Sequence, residues 1–253
     1  MKDLEIIPSE KFLKYNMITR QHIIFITLFI PAVSQGQHTT EHTNMLWEGY
    51  YNAIRFNKTW SLVSDAQVRT RNWTEKWSQL LIRSGLSYSF NDHVAVTAGF
   101  AFFKNAQYTD KQVLLKNEWR PWQEFSYQTK FKKVGFIQRL RTEQRFLQQV
   151  VNNAKTQDYE CILRVRYRFD WQIPLKRNNY KLLFGNEILV NPLYINTTRF
   201  FDQNRTFAGL QFKLVSNTSL QFQYLKIFQW RSNTSVLENQ NIFRLNVLQQ
   251  FNF

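Results

Sequence analysis

The sequence predicts an all-β fold: a transmembrane, up-and-down antiparallel β-barrel of about twelve strands, within a range of ten to twelve. Three observations predict it. Between Gly135 and Asp170, Ile137, Arg139, Arg141, Glu143 and Arg145 alternate with Phe136, Leu140, Thr142, Gln144 and Phe146, and Arg164, Arg166, Arg168 and Asp170 alternate with Leu163, Val165, Tyr167 and Phe169. A period of two over this length is a strand pattern, and a strand with guanidinium groups on one face and aromatics on the other needs two different media. Aromatic residues make up 17% of the chain and are dispersed through alternating segments, while mean hydropathy is −0.45. That value excludes a helical membrane protein but suits a barrel whose polar lumen offsets its apolar exterior. Finally, short and long connections alternate along the chain behind an export-like segment.

Residues 1 to 36 read as a signal peptide. Ile23 to Ile30 is an apolar run of signal-core length, Arg20 supplies positive charge before it, and Ser34-Gln35-Gly36 places small residues where a signal peptidase reads them. Cleavage is expected before Gln37, and Met17 would make the more ordinary start. Residues 37 to 45 are expected as an N-terminal segment, in the lumen or as an additional strand, and residues 46 to 253 as the barrel.

Turn signals divide that barrel into eleven candidate strands, at about 46 to 56, 59 to 71, 77 to 90, 94 to 104, 117 to 131, 135 to 147, 159 to 173, 180 to 191, 201 to 214, 219 to 230 and 241 to 253. Bacterial single-chain barrels close with even numbers, so twelve is preferred over eleven. Asn57-Lys58, Asn91-Asp92-His93, Lys132-Lys133-Val134, 175 to 179 and 215 to 218 are short connections; those near 72 to 76, 105 to 116, 148 to 158, 192 to 200 and 231 to 240 are mostly longer and polar. The short ones are expected to be periplasmic.

Parity then assigns faces. Leu80, Ile82, Leu86, Tyr88 and Phe90, then Val94, Val96, Phe100 and Phe102, are expected to face lipid, as are Leu210, Phe212 and Leu214. Gln79, Arg83, Ser87, Thr97, Gln203, Arg205, Gln211 and Lys213 are expected to face inward. Phe243, Leu245, Val247, Phe251 and Phe253 share the outer face of the last strand. The terminal Phe253 looks like the signal read by the bacterial barrel-assembly machinery. Most tryptophans, Trp47 included, fall near strand ends, where aromatic girdles sit, whereas Trp122 has inward parity and can stack on a lumen arginine.

The inward set carries the mechanistic weight. It comprises Arg69, Arg71, Arg83, Arg120, Arg139, Arg141, Arg145, Arg164, Arg166, Arg168 and Arg205, with Asp65, Glu118, Glu124, Glu143, Asp170 and Glu187. Two readings stay open: a cross-strand ladder of guanidinium and carboxylate groups that holds a narrow barrel together, or a basic constriction that selects anions. A net charge of +15 with many aromatics also raises single-stranded nucleic acid as a partner, but mid-strand arginines on one parity behind an export signal argue against it. The expected partners are outer-membrane lipid and lipopolysaccharide, with a monomeric barrel.

No catalytic, cofactor or metal residues are assigned. His38, His42 and His93 lie away from any mid-strand Ser and acid, no His/Cys/Asp group has ligand spacing, and there is no glycine-rich phosphate loop. Asp202, Glu118 and Glu143 have neighbouring arginines and read as counter-ions. The single cysteine, Cys161, reads as a small filler on the lipid face. A lipid- or lipopolysaccharide-active enzyme, or a surface protein that binds through long loops, stand as alternatives to a structural or anion-preferring barrel.

The residues Trp77-Ser78-Gln79-Leu80-Leu81-Ile82-Arg83, Phe90-Asn91-Asp92, Arg120-Pro121-Trp122-Gln123, Arg139 to Phe146, Asn186-Glu187 and Phe201 to Arg205 resemble the family known as domain of unknown function 2490. That resemblance runs from about Trp47 to Phe253. It implies an exported outer-membrane barrel of the kind found mostly in the Bacteroidota, and it implies no activity. The family pattern often has a His where this chain has Trp119.

Overall fold

The computed structural model describes residues 39–109, 111–175, 179–193, 200–230 and 236–253. The expected signal segment and Gln37 lie outside the described residues. Eleven strands close into one barrel: β1 (Thr39–Arg55), β2 (Trp60–Arg71), β3 (Lys76–Ser89), β4 (Val94–Tyr108), β5 (Val113–Phe131), β6 (Val134–Val151), β7 (Ala154–Pro174), β8 (Tyr180–Val190), β9 (Phe201–Val215), β10 (Thr218–Trp230) and β11 (Val236–Asn252). Successive strands pair antiparallel, and the last pairs with the first.

The preference for twelve strands is thus corrected to eleven among the described residues. Eleven alternating strands leave the first and last pointing the same way, so only a parallel ladder can join them. β1 and β11 make that ladder in unbroken register from Thr39↔Val236 to Arg55↔Asn252. Parallel pairing is slightly weaker per residue, and length offsets this: both strands have 17 residues. Thr39–Met45, expected as a separate segment or an extra strand, is the first part of β1.

The loops near 105 to 116 and 148 to 158 are also corrected. β4 and β5 run on to Tyr108 and back from Val113, and β6 and β7 run to Val151 and back from Ala154. Their turn is Asn152-Asn153, both with positive φ (51° and 59°), the backbone that a two-residue hairpin of type I′ requires and that Asn tolerates. In these two hairpins the polar sequence is therefore strand extension. At the opposite rim Asn57 Oδ1 accepts from the amides of Thr59 and Trp60, each at 2.8 Å, and Asn91 Oδ1 accepts from those of His93 and Val94 at 2.8 and 2.9 Å. These side chains mimic a backbone turn and fix the short connections.

Alternation along the strands sorts the faces. Ile82, Leu86, Phe100, Leu140, Leu210, Phe222 and Phe243 point outward and are exposed, as is Cys161. Each of the eleven strands contributes at least one large exposed apolar or aromatic side chain to this outer face. Polar groups on this face find one another, as in the Asn186, Asn204 and Thr206 group and at the parallel seam. There Asn241 Nδ2 donates to Asn44 Oδ1 at 3.0 Å, and Tyr224 Oη and Lys226 Nζ both donate to Asn241 Oδ1 at 2.8 Å. Glu48, on β1, is exposed on the same side.

Inside, two apolar clusters brace the wall: Met45, Trp47, Phe207, Leu225, Ile227 and Ile242 on β1 and β9 to β11, and Leu81, Ala101, Phe103 and Trp122 on β3 to β5. Trp122 lies over the cross-strand pair Gly85↔Gly99. A Cβ on either glycine would meet its ring at 2.6 to 2.7 Å, so both positions must lack one. Trp47 is 4% exposed and faces the lumen, not a membrane girdle as its place in the sequence suggested.

Candidate functional site: an arginine-lined lumen

The pleat turns the charged parity of β2, β3, β5 to β9 and β11 into the barrel, where the side chains meet across strands. Glu143 on β6 is the hub. Its Oε1 accepts from Arg166 Nη1 at 2.6 Å, and its Oε2 accepts from Arg164 Nη2 at 2.6 Å and Arg120 Nη1 at 3.2 Å. Arg166 also donates to Glu187 at 2.7 Å, and Glu187 lies within 3.4 Å of Arg205 and 3.6 Å of Arg139. Arg139 continues to Glu124 at 3.6 Å, and Glu124 holds Arg141 at 2.6 Å. On the other side Arg120 reaches Glu118, which also takes Arg145 at 2.7 Å. One connected network thus links five strands, β5 to β9.

Three separate pairs complete the set: Arg83 with Asp65 at 2.7 Å, Arg168 with Asp170 at 2.5 Å, and Arg71 with Glu238 at 3.3 Å. Aromatic faces take up other guanidinium surfaces. Arg141 stands 4.3 Å from the Trp122 ring centre, Arg120 3.8 Å from Phe103, Arg168 4.4 Å from Phe207, and Arg69 3.9 Å from Trp47. The Trp122 contact is the stacking its parity suggested.

Glu118 and Glu143 are each 1% exposed. Taking carboxylates this far from water costs several kcal/mol each, and only charge-assisted hydrogen bonds in good geometry offset it. Sharing one carboxylate among two or three guanidinium groups supplies those bonds. It also leaves the arginines in excess. Twelve arginines line the lumen cavities, whereas eight carboxylates pair with ten of them. Among the described residues Arg69 and Arg244 have no carboxylate partner. Arg69 donates to Gln79 Oε1 at 2.7 Å and Gln67 Oε1 at 3.0 Å, and Arg244 donates to Gln223.

Two internal cavities adjoin the network. One, of about 380 Å³, lies toward the rim that carries the Asn152-Asn153 turn and contains Trp47, Arg69, Arg205 and Arg244 in its wall. The other, of about 730 Å³, opens toward the rim with the Asn217 turn and is bounded by Ser87, Thr97, Trp122, Glu124 and Arg141. Tyr51, Arg83 and Arg139 line both, so these three side chains form the partition. Among the described residues no group of three or more His, Cys, Asp or Glu could hold a metal ion.

The thirteen arginines and glutamates singled out in the sequence all lie on the lumen side, ten of them in the connected network. Arg69 stands apart, and Arg83 and Arg168 pair with Asp65 and Asp170. Glu238 and Arg244 escaped sequence reasoning, and Asp202, read from the sequence as an arginine counter-ion, was not placed in the lumen. Asp202 has outward parity by counting, but the register shift between Leu189 and Val190 displaces it, and it accepts from Arg164 Nη1 at 3.1 Å. Glu238 and Arg244 share the parity opposite to Phe243 and Leu245, a signal present in the last strand.

A closed antiparallel barrel with a parallel seam and a salt-bridged interior defines the class: a β-barrel protein with a charge-packed lumen. Within that class the chain belongs to the family described as Protein of unknown function (DUF2490), whose family model matches residues 44–238, from β1 into β11. Among solved structures, one described as a NanC porin structure in a rhombohedral crystal form is similar, at 11% identity and a TM-score of 0.49, with 81% of this chain and 98% of that chain covered. No curated protein matches the chain.

Proposed function

We propose that this protein is a bacterial outer-membrane barrel that gives small anions a narrow path through its arginine-lined lumen. The outward belt of aromatic and aliphatic side chains supports contact with hydrocarbon, and the mutual pairing of Asn44, Asn241, Tyr224 and Lys226 is what polar groups on such a face require. The observation that carries the conduit is the imbalance inside: ten arginines are paired, two are not, and both of those line a cavity. A positive surplus behind a low-dielectric wall raises the local concentration of anions and repels cations. Paired arginines and carboxylates act as framework that keeps the bore narrow.

Planar-bilayer recording of the pure refolded protein tests this. Small conductance steps whose reversal potential in a salt gradient reports anion preference are expected. A barrel that inserts and gives no steps overturns the conduit.

A further inference from the structure

We propose that Arg69 and Arg244, which flank Trp47 at the parallel seam, form with Arg205 a resident anion site that takes one small oxyanion of the phosphate or dicarboxylate class. The register builds it. Trp47 on β1 faces Arg69 across the antiparallel pair with β2 and Arg244 across the parallel pair with β11, so the two arginines stand one strand to either side of the same indole. Their backbones are about 10 Å apart, two strand spacings, which lets both guanidinium groups converge on one ligand. Arg205 reaches the same ring from β9, with its guanidinium carbon 5.9 Å from the ring centre against 3.9 Å for Arg69.

Several buried donors there lack acceptors, and the two carboxylates in the same cavity wall, Glu187 and Glu238, are engaged by Arg166 with Arg205 and by Arg71. Trp47 Nε1, Arg69 Nε and Arg244 Nε are buried without a hydrogen-bond partner, and Trp47 is 4% exposed. A guanidinium group offers five N–H donors, and both unpaired arginines bond to glutamine amides that carry no charge. Two cations so placed repel one another and have no carboxylate paired to them, a role that a doubly charged oxyanion fills with several acceptor oxygens. The adjoining cavity of about 380 Å³ is room for roughly a dozen waters, enough for phosphate or a short dicarboxylate with its hydration. Gln67, Gln79, Gln203 and Gln240 in its wall present both donors and acceptors to such a ligand.

This site deepens the conduit reading, as the place where a passing anion rests, and the test separates the two. Inorganic phosphate is titrated calorimetrically into the refolded barrel in detergent at low ionic strength, with succinate and acetate in parallel. Saturable one-site binding of phosphate and succinate, tighter than acetate, is expected, with a loss of at least tenfold in R69Q and in R244Q. Lys226→Gln, which removes a cation from the outer face, should leave affinity within about twofold. Should R69Q misfold, R69K, which keeps the charge, and R244Q carry the comparison. A phosphate-dependent change in indole fluorescence should vanish in W47F. Absence of saturable binding, or equal affinity in wild type and R244Q, overturns the site. Binding without conductance leaves the site standing and removes the conduit, and anion-preferring conductance unchanged in both glutamine variants does the reverse.

Discussion

The two walls of the lumen use the same residue differently. From β5 to β9 the inward glutamates are shared, Glu143 and Glu187 by three arginines each and Glu118 and Glu124 by two, so each charge is held in place by others. Across the β11, β1 and β2 wall Arg71 pairs with Glu238, but Arg69 and Arg244 meet glutamine amides, and Arg69 lies over the Trp47 ring. The lesson is that arginine count alone does not distinguish framework from function. An arginine whose charge is consumed by buried carboxylates braces the barrel, whereas one left uncompensated acts on whatever enters.

That contrast makes graded predictions. The largest effect is expected at the hub: Glu143→Gln leaves Arg120, Arg164 and Arg166 around a neutral group, and breaking a buried ion cluster by removing one partner costs about 3–5 kcal/mol, to be read from urea unfolding of the folded barrel. Little or no loss would show the braced wall to be no brace. Next, Leu140→Arg on the outer face should cost about 2–4 kcal/mol in lipid if that face meets the bilayer midplane. Equal stability of this variant and wild type in bilayers would remove the membrane from the comparison. On the uncompensated wall, R69Q and R244Q should each change stability by about 1 kcal/mol or less, since each loses hydrogen bonds to neutral amides and relieves cation repulsion. Their signature is a fall in anion preference, measured as reversal potential. The smallest effect is the salt response: raising ionic strength from ~0.1 to ~1 M shortens the screening length from about 10 to about 3 Å, and the wild-type preference should shrink accordingly.

Much of this molecule is written in local alternation. Arg139, Arg141, Glu143 and Arg145 fall on one side of a pleat whatever the barrel does around them, so their shared orientation follows from strand geometry alone. Parity fails where the pleat is interrupted. Asp202 sits at a register shift that no composition signal marks, and it changes sides there. The extent of β6 and β7 was hidden because polar residues at a rim suit a loop and a protruding strand equally, although Asn152-Asn153 is the pair that a tight turn favours. The role of Trp47 depends on closure. Its neighbours Arg69 and Arg244 come together through contact between the two ends of the chain, and nothing local in sequence encodes a pairing of Trp47 with Arg244.

The parallel seam has a temporal meaning as well. Hairpins close between neighbours in sequence, but β1 pairs with the strand farthest from it along the chain, so both outer edges of the sheet stay unsatisfied until β1 meets β11. Completion is thus a single late event, like fastening a clasp. Because Trp47 gains Arg244 in that same event, the wall proposed to receive an anion comes into being only when the cylinder shuts.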